Sequence, residues 1–71
     1  MSNRWEYATL EWIWDHNSLR CNLPDGQEWK ERGSYPEVVA MLNRLGDEGW
    51  EVSACVAGGN WLFWTLRRPA W

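Results

Sequence analysis

The chain is 71 residues long, carries a formal net charge of −3 and is 15% aromatic, with eight Trp, two Tyr and one Phe. That length accommodates one small domain, which buries only about 60% of its unfolded surface and sits near the limit of independent stability. The acidic balance argues against a nucleic-acid binder, whose affinity rests on neutralising phosphates, and no run approaches the roughly 20 apolar residues of a membrane span.

Taken in order, Trp5 to Trp14 reads as a strand, rich in aromatics and free of Gly and Pro. Trp5, Tyr7, Thr9 and Ile13 share one face; Ala8, Leu10, Trp12 and Trp14 share the other. Asp15 to Ser18 is a turn cluster. Leu19 to Leu23 reads as a short strand, Pro24-Asp25-Gly26 as a turn suited to positive φ, and Gln27 to Glu31 as the returning strand. This middle hairpin, 19–31, is short and polar, and the sequence leaves open whether it joins the main sheet.

A helix is expected over 35–48. Ser34 stands at its N-cap with Glu37 at capping-box spacing, and Pro36 falls in the first turn, where a missing N–H is harmless. Val38, Val39, Leu42 and Leu45 form the expected buried stripe. Gly46 lies inside the helix, where a small residue permits close approach to a sheet. Gly49 supplies the left-handed stop.

A second hairpin is expected over 50–67. In its first strand, Trp50, Val52, Ala54 and Val56 face one way, and Glu51, Ser53, Cys55 and Ala57 the other. Gly58-Gly59-Asn60 makes the turn. In the return strand Trp61 and Phe63 oppose Leu62, Trp64 and Leu66, and Pro69 is expected to end the pairing. The whole, 1–71, is one α+β domain: an antiparallel sheet of four or five strands with one helix packed on one face.

The pattern L-x-x-L-G-x-E-G-W-E-V from Leu42 to Val52 is similar to a group of short bacterial domains of unknown function. Those domains begin with a strand like Trp5-Glu6-Tyr7, pass through a helix ending in this pattern, and close with a hairpin ending like Arg67-Arg68-Pro69. The resemblance covers about half of the chain, in three blocks, and brings no established activity with it. The tryptophan load and the longer segment from Asp15 to Gly33 depart from that pattern.

Little in the chain points to chemistry. His16, Cys21 and Cys55 lack the paired spacing of a zinc site, which takes three or four clustered ligands, so no metal or cofactor is expected. With no signal-peptide-like stretch at the N-terminus, a cytoplasmic protein with two reduced thiols follows. Carboxylates recur in pairs, as at Glu28 and Glu31, but a chain this short has little material for a cleft. Ser34 serves as a cap rather than a nucleophile.

The tryptophans carry the functional reading. Trp5, Trp50 and one of Trp61 or Trp64 are expected in the core, yet one helix covers one sheet face only, and large bare apolar patches mark contacts. The favoured reading is a non-enzymatic, self-assembling homo-oligomer joined through Trp12, Trp14, Trp61 or Trp64, and Trp71. The alternative is a module that stacks a small aromatic or sugar-like ligand on the same residues. A third reading, an enzyme using Glu28, Glu31 or His16 at a subunit boundary, has no positive support in the sequence.

Overall fold

The computed structural model describes residues 4–70. Five strands form one antiparallel sheet: β1 (Trp5–Ile13), β2 (Ser18–Asn22), β3 (Glu28–Arg32), β4 (Glu51–Ala57) and β5 (Trp61–Pro69), in the spatial order β3-β2-β1-β5-β4. One helix, α1 (Tyr35–Asp47), joins β3 to β4 and packs on one face.

The aromatic and β-branched N-terminal strand becomes the centre of the sheet. Register along β1 sets Leu10 opposite Cys21 of β2 and Trp64 of β5, and Trp12 opposite Leu19 and Leu62. The middle hairpin therefore belongs to the main sheet. Its turn is closed by Asp25 and Gly26 at φ of 67° and 77°, and the Leu23 N–H donates to the Gln27 carbonyl at 2.8 Å.

At the start of α1 the Glu37 carboxylate reaches back to accept from the Ser34 N–H at 2.8 Å, satisfying a donor that the helix leaves unpaired. The helix stops in a Schellman motif. The Trp50 N–H donates to the Leu45 carbonyl at 3.1 Å and the Gly49 N–H to that of Gly46 at 2.9 Å. Gly49 has φ of 91°, a conformation that a Cβ disfavours. Trp50 and Leu45, the apolar pair that accompanies this motif, are both buried.

The buried stripe of α1 is Val38, Met41 and Leu45. Val39 is 53% exposed and Leu42 only half buried, so the helix is rotated from the expected Val38, Val39, Leu42, Leu45 stripe. Contacts toward β3 accompany that rotation: Arg44 lies 3.9 Å from the Trp29 ring centre and 3.6 Å from Glu31. Beneath the helix, Leu10, Leu19 and Cys21 are essentially inaccessible, and Trp12, Trp50 and Leu66 are buried with them. Each large side chain buried there contributes about 1.5–3 kcal/mol. The helix leaves β4 bare: all seven of its residues are exposed.

Three local expectations are corrected. A register shift between Val52 and Ala54 breaks the alternation of β4. Val52, Cys55 and Ala57 pair with Leu66, Trp64 and Leu62 on the helix side, whereas Ala54 and Val56 pair with Thr65 and Phe63 on the opposite face. Pro69 does not end the pairing but occupies its last position, opposite Trp5. Gly46 allows no close approach, because a Cβ there would meet open space.

Candidate functional site

Two surfaces are assembled by this fold. The first is a corner where the end of α1 meets the ends of β1 and β5. Arg68 donates from Nε to Glu6 at 2.6 Å and from Nη1 to the Glu48 carbonyl at 2.7 Å, and its guanidinium carbon lies 4.3 Å from the centre of the Trp50 ring. The cation thus sits on a carbonyl at the negative end of the helix. On the other side of the sheet, Arg67 donates to Glu51 at 3.0 Å and stacks 4.3 Å from the Trp5 ring. The three sequence blocks Trp5-Glu6-Tyr7, Leu42 to Val52 and Arg67-Arg68-Pro69 therefore meet at one place. An open cleft of about 530 Å³ lies there, lined by Glu6, Glu48, Gly49, Arg68 and Pro69. Its one cation is already paired within the chain, so the corner reads as a structural lock.

The second surface is the sheet face opposite α1. Alternation places Trp5, Tyr7, Thr9, Glu11 and Ile13 of β1 there, beside Trp61, Phe63, Thr65 and Arg67 of β5 and Ala54 and Val56 of β4. Among the described residues no element covers this face. Trp5 is 42% exposed, Tyr7 56% and Val56 53%. Trp61 is held in place by Gly58: a Cβ at Gly58 would run into the indole ring. The β2–β3 half of the same face is charged. There Arg20 and Lys30 both approach Glu28, each at 3.5 Å.

The tryptophans named from sequence do not gather into one patch. Trp12 is buried at 4% exposure under the start of α1, where its Nε1–H donates to the Gly33 carbonyl at 3.1 Å and its ring meets Tyr35 at 4.9 Å. Trp64 is on the helix side and packs against the core. Trp14 is 37% exposed just past the end of β1 and meets Trp12 edge-on at 5.9 Å. Of the expected set, Trp61 alone is placed on the bare face, and Trp71 lies outside the described residues. Trp5, expected in the core, is instead on the bare face.

Sequence reasoning passed over Tyr7, Ile13, Phe63 and Val56. The signal was present in the alternation of β1 and β5, which groups Tyr7 with Ile13 and Trp61 with Phe63. Tryptophan content does not reveal this face, because Trp12 and Trp64 lie on the covered side.

The candidate catalytic groups are not brought together. Glu28 and Glu31 stand in β3, paired with Arg20 and Lys30 and with Arg44 respectively. His16 lies in the β1–β2 turn, in a shallow hollow with Asp15, Asn17, Ser18 and Arg32. The described residues contain no cluster of three or more His, Cys, Asp or Glu able to hold a metal ion. No helix among them is long and apolar enough to cross a membrane. Cys21 and Cys55 are both free thiols. They occupy one row across the sheet with Leu10 and Trp64 between them, about 14 Å apart at ordinary strand spacing, too far for a disulfide.

Burial pushes the Cys21 thiol up to about 11; the Arg44 charge opposes that shift and the Glu48 carboxylate adds to it. Cys21 is accordingly a packed, unreactive thiol.

Compared with known proteins, the chain matches no family model, no curated protein and no solved structure.

Proposed function

We propose that the chain is a non-enzymatic self-assembling module and that the bare sheet face is its contact surface. The observation that carries this reading is the apolar surface on that face, Trp5 and Tyr7 toward one end and Ile13, Trp61, Phe63 and Val56 toward the other with Thr9, Thr65 and Ala54 between them, with no covering element among the described residues. Patches of this kind are uncommon on monomers and mark interfaces. A second copy supplies the same aromatic surface, and two such faces pack as a sandwich about 10 Å apart, as sheets do. The charged β2–β3 half supplies a polar rim.

The test is the native mass by light scattering after size exclusion. Wild-type protein is expected as a multimer, and Phe63→Lys, which sets a cation in the centre of the patch, lowers the mass while leaving the far-ultraviolet circular dichroism unchanged. A wild-type monomer, or a folded Phe63→Lys protein of unchanged mass, removes the reading. We also propose that the chain is akin to the short bacterial domains whose three sequence blocks it shares. That reading agrees with the corner where those blocks meet, which serves the fold and not a reaction.

A further inference from the structure

The two edges of the sheet are treated differently. The outer strand β3 reads Glu-Trp-Lys-Glu-Arg, with four charged residues in five. Charge on an edge strand is how proteins keep it from pairing with another chain. The other outer strand, β4, reads Glu-Val-Ser-Ala-Cys-Val-Ala. It carries one charge at its first residue, no Lys and no Pro, and every residue is exposed. Its one edge-blunting feature is the shift at Ser53, near its start; beyond it Ala54 to Ala57 alternate cleanly.

We propose that β4 is a homotypic docking edge, at which two copies pair β4 antiparallel about a two-fold axis centred on Cys55, joining two five-stranded sheets into one. Self-complementarity selects a second copy as the occupant. Residues directly opposite in an antiparallel pair point to the same face. With Cys55 at the axis, Cys55 meets its own counterpart on the helix side and Ala54 meets Val56 on the bare face. Centring on Cys55 keeps the ladder clear of the shift at Ser53, pairing Ala54, Cys55 and Val56 of each copy within the stretch that alternates cleanly. Glu51, the one charged residue of β4, lies beyond the shift and outside this paired stretch, so no like charges face each other. Each copy also remains tied within itself, because the Glu51 carboxylate is held by Arg67 at 3.0 Å.

This contact is distinct from the face contact, and each is isologous. The edge axis stands perpendicular to the sheet and the face axis runs parallel to it, so where the two axes intersect they build a closed four-chain assembly with dihedral symmetry; either contact alone builds a dimer. That difference makes the two separable.

The experiment measures mass by light scattering on wild type, on Phe63→Lys (with Tyr7→Lys in its place if the first does not fold) and on the edge pair Cys55→Lys with Ala57→Lys. Expected are four chains for wild type and two for each variant. In the face variant, a short-spacer bis-maleimide is expected to join the two Cys55 thiols, Cys21 being buried. A folded face variant that is monomeric overturns the edge contact, as does one that remains dimeric but whose Cys55 thiols cannot be joined. A wild-type dimer made monomeric by the edge pair supports the edge and removes the face. A wild-type dimer untouched by the edge pair does the reverse, and a wild-type monomer removes both.

Discussion

Arg68 holds its guanidinium over Trp50, with one nitrogen on Glu6 and another on the Glu48 carbonyl. Only a planar fork makes all three contacts; a lysine keeps the charge but offers a single compact donor with no stacking plane. Arg68→Lys is therefore expected to lower stability by about 1–2 kcal/mol, discounted from the full value of charged hydrogen bonds because both partners are partly exposed. Urea melts of the two proteins check this; equal midpoints would show that the lock is ornamental.

Cys21 gives a second prediction at the same scale. Its pKa is about 11 in the folded chain against a reference of 9.0, so the native state favours the neutral thiol. The contribution is fully present below pH 9 and is lost as pH rises through about 11, amounting to roughly 3 kcal/mol across that window. In a Cys55→Ser background, stability is expected to fall more steeply between pH 9 and 11 than when Cys21→Ala is added. Parallel slopes in urea melts would contradict it.

At the scale of elements, the two glycines near the end of α1 have opposite roles. Gly46 has helical neighbours and open space where a Cβ would go, so Gly46→Ala is expected to raise stability by about 0.5–1 kcal/mol. Gly49 has φ of 91°, so Gly49→Ala is expected to lower it by about 1–2 kcal/mol. Thermal melts of the pair moving in opposite directions confirm the assignment; movement in the same direction contradicts it. Both helix ends were legible because Ser34, Glu37 and Gly49 are local signals that act on the nearest backbone. The faces of β4 were not, because one extra residue at Ser53 inverts the alternation on one side of it, and nothing in Glu51 to Ala57 announces a bulge. The choice between Trp5 and Trp12 was equally hidden. Both faces of β1 are apolar, and which one meets the helix is decided by α1, β2 and β5 together.

At the scale of the whole molecule, one helix on a five-stranded sheet leaves much apolar surface in water. The core beneath α1 is complete on the β1–β2 side, while β4 and the opposite face contribute side chains without covering them. A small domain built this way is marginal alone and gains from any contact made only by its folded form. The association proposed for the bare face therefore couples folding to concentration. The midpoint of thermal unfolding is expected to rise with each tenfold increase in protein concentration for wild type and to rise less for Phe63→Lys, whose folded chains lack the face contact and keep only the edge. The coupling is read at concentrations above the dissociation constant, where the subunits separate only as they unfold. The weaker dependence that Phe63→Lys retains through the edge is abolished by adding Cys55→Lys and Ala57→Lys. A wild-type midpoint that ignores concentration would mean that the aromatic face stays in water, and that the stability of the chain rests on its core and the Arg68 corner alone.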